Sequence, residues 1–125
     1  MRRLFPSILT LLMLTAVASH VQSRQAKITQ PFASFWSQFK AALAKNDKEA
    51  VASMTKFPFY WGEELTRGEF IKKYTEIFDR KVQRCFAKAK PIKDRDSYSV
   101  FCGESIYVFE KVEGKYRFTA VGAND

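Results

Sequence analysis

The sequence predicts an α+β fold in which N-terminal helices precede a mainly antiparallel sheet. Apolar residues recur at helical spacing over residues 32–43, and Thr66 with Glu69 has the pattern of a capping box that opens another helix. Residues 98–112 and 115–121 are rich in β-branched and aromatic side chains and flank a short turn signal. Helices followed by antiparallel strands are typical of the α+β class.

The N-terminus has the order of residues that is typical of a secretory signal peptide. Arg2 and Arg3 form a basic start, residues 4–14 form an apolar run, and Ala16-Val17-Ala18 supplies a cleavage site. Cleavage after Ser23 is an alternative. The apolar run is too short for a membrane-spanning helix, which needs about 20 residues. We therefore expect an exported protein, in the periplasm or outside the cell, with no membrane span after cleavage.

Cleavage at the first site defines the predicted domain organisation. Residues 1–18 are the signal peptide, residues 19–29 form a polar leader that we expect to be disordered, and residues 30–125 form one α+β domain. Cleavage removes two arginines and lowers the net charge from +8 to +6. A moderate positive charge favours anionic partners, but it is also common in proteins that have none.

Helical spacing places two helices at the start of the domain. The first carries one apolar stripe, made of Phe32, Phe35, Trp36, Phe39 and Leu43. Asn46 and Asp47 end this helix, and they can cap a short second helix from Glu49 to about Met54.

Two further helices are predicted in the middle of the chain. The capping box opens a helix that buries four side chains on one face, namely Phe70, Tyr74, Ile77 and Phe78. Residues 80–90 also have helical spacing, and Pro91 stops them. An extended strand is an alternative for part of this last stretch.

Residues 56–62 are predicted to be extended. Pro58 is unsuited to a helix interior and to a central strand because it lacks an N–H group. We therefore expect an edge strand or an extended segment that ends at Gly62.

The C-terminal third is predicted to form a hairpin around Glu113-Gly114. With a two-residue turn, Phe109 lies opposite Phe118 and Glu110 lies opposite Arg117, so an aromatic pair and a charge pair agree on one register. One face then carries Tyr107, Phe109, Tyr116 and Phe118, and the other carries Ile106, Val108 and Val121. Both faces are apolar away from the turn, so we expect the hairpin to be covered on both sides or to bend around a cavity.

One glycine and two cysteines complete the prediction for the later part of the chain. Gly103 interrupts the longer strand and is expected to mark a bulge. Cys85 and Cys102 are the only cysteines. In an oxidising compartment such a pair is best interpreted as a disulfide, which would contribute about 3 kcal/mol to stability.

This order of elements resembles the nuclear-transport-factor-like superfamily. The resemblance rests on the aromatic first helix at residues 32–43, on Phe57-Pro58-Phe59-Tyr60, on residues 62–74, and on the hairpin ending Tyr116-Arg117-Phe118. The chain looks most like small exported members that have no assigned activity. The resemblance implies a cone-like roll, in which a curved, mainly antiparallel sheet wraps a long helix and can leave a pocket at its open end. It carries over no catalytic residue.

Composition excludes several kinds of chemistry. The only histidine, His20, lies beside the predicted cleavage site, so Ser-His-Asp and Cys-His catalysis have no base within the domain. Without histidine, and with both cysteines paired, zinc has no ligand set. Glycine-rich nucleotide-binding patterns are also missing from the sequence. No metal and no cofactor is predicted.

Carboxylate chemistry remains, and Glu104 is the candidate. Glu104 interrupts an apolar run, and a carboxylate drawn into an apolar cone has a raised pKa and can act as a general base. Tyr60, Tyr74 and Tyr107 can donate hydrogen bonds to an oxyanion, and Trp61 is a further candidate for the pocket wall. The alternative is that Glu104 faces solvent and that the tyrosines belong to the core.

Residues 80–93 contain no acidic residue and carry a basic run, made of Arg80, Lys81, Arg84, Lys88, Lys90 and Lys93, in which Lys81, Arg84 and Lys88 form a predicted basic stripe. The stripe predicts a docking surface for an anionic polymer or an acidic partner in the cell envelope. The alternative is a solvated helix face. We do not expect nucleic acid as the partner, because Phe86 is the only aromatic residue among the basic ones.

The sequence favours a non-enzymatic binding or accessory protein. Two alternatives stay open: a small lyase or isomerase with a carboxylate base in the cone, and an inhibitor or immunity-type protein that binds an enzyme through the basic stripe. The ligand of a binding protein would be an apolar small molecule or an acidic envelope partner. A monomer and a sheet-to-sheet dimer are both compatible with the pattern.

Overall fold

The computed structural model describes residues 30–124, and it has five helices and one six-stranded sheet. The helices are α1 (Phe32–Ala44), α2 (Lys48–Ser53), α3 (Arg67–Lys72), α4 (Tyr74–Ile77) and α5 (Arg80–Lys88). The strands are β1 (Thr55–Trp61), β2 (Glu64–Leu65), β3 (Ile92–Asp94), β4 (Ser97–Cys102), β5 (Ser105–Val112) and β6 (Lys115–Ala123). The fold is therefore α+β. The predicted signal peptide and leader lie outside the described residues.

The sheet has the order β2-β1-β6-β5-β4-β3 and is mainly antiparallel. Only β1 and β6 pair in parallel, and three helices and four strands lie between them in the chain. The end strands β2 and β3 do not pair with each other, so the sheet is not closed.

Three helices begin with side-chain caps. The Asp47 carboxylate accepts a hydrogen bond from the Ala50 N–H at the start of α2, at 3.1 Å. At α3 the Thr66 hydroxyl accepts from the Glu69 N–H, and the Glu69 carboxylate accepts from the Thr66 N–H, so the predicted capping box is confirmed. These hydrogen bonds hold the pKa of Glu69 below its usual value.

The helices in the middle of the chain differ from the prediction in one respect. The single helix expected after the capping box is broken at Lys73 into α3 and α4, although Phe70, Tyr74, Ile77 and Phe78 are all buried as predicted. Residues 80–88 form the helix α5, so the strand alternative for this stretch is wrong. Asp79 caps α5 by accepting a hydrogen bond from the Val82 N–H at 2.8 Å.

The residues around Pro58 are extended as predicted, in strand β1, but the alternative that this strand lies at an edge of the sheet is wrong. Strand β1 lies between β2 and β6. However, β2 pairs only with Phe59 and Tyr60, and the β1–β6 register is irregular between Thr55 and Tyr60. Pro58 therefore lies in an internal strand at a point where it has no regular ladder partner, so its missing N–H group breaks no pairing.

The predicted hairpin register is confirmed, with Phe109 opposite Phe118 and Glu110 opposite Arg117. Beyond this point the register shifts between Val108 and Phe109, which places Val121 opposite Tyr107. The prediction that Val121 shares the outer face with Val108 is therefore wrong. Because of the register shift, Val121 is buried on the same face as Tyr107.

Gly103 does not mark a bulge. It lies with Glu104 in the two-residue connection between β4 and β5, where Cys102 pairs with Ser105. Its φ of +63° is in the left-handed region, which glycine adopts without a steric penalty. One long predicted strand is therefore two strands joined by a tight turn.

The core lies between the helices and one face of the sheet. Its centre is aromatic: Phe39, Phe59, Phe109 and Phe118 are fully buried, and their rings contact one another at centroid distances such as 5.1 Å for Phe39–Phe109 and 4.6 Å for Phe59–Phe118. Aromatic side chains bury large apolar areas and gain further from edge-to-face packing. This cluster is the main source of stability in the described part of the chain.

The opposite face of the sheet is not covered by any described element. Tyr60, Ala120, Val108, Ser99 and Ile92 are register partners in a row across five strands. The side chains of Tyr60 and Ile92 are exposed, and Phe101 beside this row is 46% exposed. The expectation that both faces of the hairpin are covered is therefore wrong for residues 30–124. The predicted alternatives of a monomer and a sheet-to-sheet dimer stay predictions.

Candidate functional site

The interior of the fold is filled by side chains. Aromatic residues from the helices and from the sheet meet there, and Phe86 of α5 packs against Tyr107 of β5 with ring centroids 4.9 Å apart. Among residues 30–124, and with tyrosine counted as hydrophobic, Thr55 is the only buried residue that is polar or charged. No carboxylate therefore reaches the interior within the described chain.

Two of the predicted pocket residues, Tyr74 and Tyr107, belong to this core. The Tyr107 hydroxyl donates a hydrogen bond to the Ile77 carbonyl at 2.9 Å, whereas the buried Tyr74 hydroxyl has no partner among the described residues. Burial, with a smaller contribution from the Asp47 carboxylate, raises the pKa of Tyr74 to about 12. Burial also raises the pKa of Tyr107. Both hydroxyls are therefore protonated at neutral pH and face no open cavity.

The other two, Tyr60 and Trp61, lie with Glu104 at one end of the sheet. All three line an open groove of about 650 Å³ beside the end of β6, whose wall also includes Ser105 and Asn124. We call it the strand-end groove. Glu104 is exposed in the β4–β5 turn, and the Lys73 ammonium lies 5.7 Å from the Trp61 ring centroid. The structure thus separates the four predicted pocket residues into two places.

The predicted disulfide between Cys85 and Cys102 is confirmed. It joins α5 to the end of β4, with the two Cα atoms 5.8 Å apart. A second groove runs beside it, lined by Lys81, Asp79 and Glu104 among others. This disulfide flank of α5 therefore brings one basic and two acidic side chains together.

The basic stripe borders two different grooves, one on each flank of α5. Lys81 lies on the disulfide flank, whereas Arg84 lines a groove on the opposite flank, against α1. Lys88 is exposed and is not among the residues that line this groove. Lys81, Arg84 and Lys88 are spaced i, i+3 and i+7, so they share the exposed face of α5 that lies between the two grooves.

The groove between α1 and α5 has an apolar floor and a basic edge; we call it the α1–α5 groove. It has a volume of about 350 Å³ and is lined by Lys40, Leu43, Ala44, Arg80, Gln83, Arg84, Phe86 and Ala87. Leu43 and Phe86 are buried and close the bottom, while the small side chains Ala44 and Ala87 leave the groove open above them. No acidic residue lines it.

The cations of the α1–α5 groove are not neutralised by described neighbours. The ion pairs in the described range are Arg67–Glu49 and Lys73–Glu63, and neither includes a residue of the groove lining. Asp79 is next to Arg80 in sequence, but its carboxylate caps α5. An anion entering this groove would therefore meet two guanidinium groups without carboxylate partners.

Two contacts fix the walls of this groove. The Gln83 side-chain amide donates hydrogen bonds to the Phe78 carbonyl and to the Asn46 side chain just beyond α1, each at 3.0 Å. The Lys40 ammonium lies 5.5 Å from the Trp36 ring centroid, a cation–π contact that holds Lys40 along α1. The groove is thus present in the described fold without rearrangement.

Sequence reasoning found Arg80 and Arg84 as part of the basic run and missed the contribution of α1. Lys40 and Ala44 are one helical turn apart on α1, and so are Arg80 and Arg84 on α5. Each pattern can be seen in the sequence. What the sequence does not show is that the two helix faces lie side by side.

Comparisons with protein-family models, with curated proteins and with solved structures give no match for this chain. The resemblance to the nuclear-transport-factor-like superfamily therefore stays a prediction. Within the described range, no helix is both long and apolar enough to cross a membrane. The same residues contain no group of three His, Cys, Asp or Glu side chains that could hold a metal ion.

Proposed function

We propose that the chain is an exported, non-enzymatic binding domain whose ligand is anionic and occupies the α1–α5 groove. The observation that carries the proposal is the combination of an apolar floor with Arg80 and Arg84, which face no carboxylate in that groove. Ligand sites commonly pair an apolar surface with a few polar groups that fix the orientation of the ligand. A volume of about 350 Å³ lies within the range of about 300–1,000 Å³ for small-molecule sites.

Export is supported by the Cys85–Cys102 disulfide. Structural disulfides persist in oxidising compartments and are rare in the reducing cytosol. The signal-peptide pattern at the N-terminus points to the same compartment. Periplasmic and extracellular locations are equally consistent with both features.

The lyase or isomerase alternative has less support than the binding function. A general base of that kind needs a carboxylate in an apolar site, and Glu104 is exposed in a turn. An inhibitor or immunity-type protein would use the same basic surface as the proposed binding domain. It would differ in forming a stoichiometric complex with an enzyme.

The test uses 8-anilinonaphthalene-1-sulfonate, an apolar anion whose fluorescence rises in an apolar site. We expect binding of one probe molecule per chain, with an affinity that falls as salt increases. Replacing both Arg80 and Arg84 by glutamine should weaken binding at least tenfold, because the loss of even one hydrogen bond to a charged group, at about 1.5 kcal/mol, corresponds to about tenfold.

The matched control replaces Lys81 and Lys88 by glutamine. This variant loses the same charge from the same helix, but outside the α1–α5 groove. We expect its affinity to stay within about twofold of the original protein, because exposed charges at a distance are screened. Equal losses in both variants would reduce the effect to net charge, and no loss in either would place the probe elsewhere, for example on the exposed outer face of the sheet.

A further inference from the structure

We infer that the ligand of the α1–α5 groove is a single-chain carboxylate amphiphile, that is, a medium-chain fatty acid. This inference rests on the proposed function and names its ligand class. It assigns the carboxylate to Arg80 and Arg84 and the alkyl chain to the floor formed by Leu43 and Phe86, with Ala44 and Ala87 at the sides.

The arrangement of charge favours a small ligand over an anionic polymer. A polymer would extend along α5 past Lys81, which lines a groove together with the carboxylates of Asp79 and Glu104. Arg80 and Arg84 instead lie together on one edge of a bounded groove. One anionic group fits this edge, whereas a row of anions would also meet the carboxylates of Asp79 and Glu104.

The chemistry of the edge favours a carboxylate. A guanidinium group is planar and presents a fork of N–H donors that matches the two oxygens of a carboxylate. Arg80 and Arg84 are one turn apart on α5, so their guanidinium groups can approach one anion from the same side. Neither is engaged in a side-chain hydrogen bond or ion pair with residues 30–124.

The floor requires an apolar tail. Leu43 and Phe86 form the bottom of the groove, and Gln83, the uncharged polar residue of the lining, already donates its side-chain amide to Asn46 and Phe78. A strongly hydrated anion such as acetate would leave this apolar surface exposed to water. An unbranched alkyl chain would cover it and would leave no polar group of its own buried.

A chain-length series measured by titration calorimetry tests the inference. The probes are the sodium salts of butyric, hexanoic, octanoic and decanoic acid, each kept below its micelle concentration, with decan-1-ol as the uncharged control. Because each buried methylene contributes about 0.8 kcal/mol, we expect the affinity to rise about fourfold per added methylene until the groove is full. The Arg80→Gln/Arg84→Gln variant should bind decanoate about tenfold more weakly.

A second pair of variants tests the tail without changing charge. Ala87→Leu fills the groove and should lower the affinity for decanoate about tenfold, while Ala41→Leu adds the same side chain at an exposed position on α1 outside the groove and should leave it unchanged. Leucine is a good helix former, so neither change opposes the helix.

The outcomes separate this inference from the proposed function. Affinity that does not depend on chain length, or equal binding of decan-1-ol and decanoate, would overturn the inference of a fatty acid. If the sulfonate probe binds through Arg80 and Arg84 but no fatty acid does, the binding function stands and the ligand class is wrong. A short acidic peptide, oligoglutamate, that binds this groove better than decanoate would likewise overturn the inference and favour an acidic protein partner.

Discussion

Helices α1 and α5 contribute to both the interior and the α1–α5 groove, yet the interior is filled and the groove is open. In the interior, Phe39 of α1 and Phe86 of α5 meet Phe109 of the sheet, and the three rings lie within 5.1–6.4 Å of one another. On the sides of α1 and α5 that line the groove, the small residues Ala44 and Ala87 are present in place of aromatic rings, and the space beside them is open. The difference shows that the open space beside these helices lies at the surface, where the side chains are small. The interior has no such space because aromatic side chains fill it.

The largest expected effect comes from opening the interior. Phe109→Ala should lower the free energy of unfolding by about 3–5 kcal/mol, since it removes a fully buried ring and leaves a cavity. Urea denaturation measures this loss. Benzene should then raise the stability of the variant and not that of the original protein, because only the variant has an apolar cavity inside.

If the variant does not fold, Phe109→Leu provides the smaller cavity for the same comparison. Stabilisation of the original protein by benzene, to the same extent as the variant, would mean that the interior already contains usable space. That result would contradict the description of a filled core.

The second largest effect on stability is expected from removing the disulfide, which holds the side of α5 that faces away from the α1–α5 groove. Replacing both Cys85 and Cys102 by alanine should lower the free energy of unfolding by about 3 kcal/mol, because the disulfide closes a loop of 17 residues. Phe86 is the only buried residue of α5, so the tether also holds one wall of the groove. We therefore expect the variant to bind the sulfonate probe more weakly than the original protein.

Reduction supplies the control for the disulfide. A reducing agent should lower the stability of the original protein by the same amount and leave the double alanine variant unchanged. An unchanged stability on reduction would show that α5 is held by packing alone.

A third, smaller effect distinguishes two tyrosines inside the core. Tyr107→Phe removes a hydrogen bond to the Ile77 carbonyl and should cost about 1 kcal/mol, whereas Tyr74→Phe removes a hydroxyl that has no partner and should be neutral or stabilising. The same method, urea denaturation at pH 7, measures both. Equal losses would indicate that the Tyr74 hydroxyl has a partner in solution, such as water.

The buried Tyr74 hydroxyl also predicts how the stability of the protein changes at high pH. The pKa of Tyr74 is about 12 in the folded protein, against 10.0 for an unperturbed tyrosine. Between these values the folded protein keeps a proton that the unfolded chain has released, so the free energy of unfolding falls as pH rises from about 10 to about 12. Tyr74→Phe should remove part of this decline, which thermal unfolding across that pH range can measure.

The smallest effect on stability is expected in the groove itself. Arg80→Gln/Arg84→Gln should change the free energy of unfolding by less than about 0.5 kcal/mol, because both side chains are exposed and lack ion pairs within residues 30–124. Lys81→Gln/Lys88→Gln should do the same. A groove variant that loses binding and keeps its stability shows that the arginines act on the ligand and not on the fold.

The sequence allowed prediction of features that depend on neighbouring residues or on a repeated pattern. The capping box at Thr66 and Glu69, the hairpin register at Phe109 and Phe118, and the Cys85–Cys102 bridge are of this kind. Pro58 misled the prediction because its missing N–H group was taken to require an edge strand. An irregular register around it serves the same purpose within the sheet.

The candidate site depended on features that one sequence does not contain. The groove needs Lys40 and Ala44 of α1 beside Arg84 and Ala87 of α5, and this placement follows from how the chain folds back after α4. The predicted stripe treated α5 as a free cylinder with one exposed face. A groove lies on each side of that face, and of these two grooves only the α1–α5 groove has no acidic side chain in its lining.

The most direct test of the account is a map of amide chemical shifts in nitrogen-15-labelled protein during titration with decanoate. The account predicts shifts confined to residues 40–44 of α1 and residues 80–87 of α5, with β5 and β6 unaffected. Shifts centred on Phe109 and Phe118 would contradict it, because they would place the ligand inside a core that the structure shows to be filled.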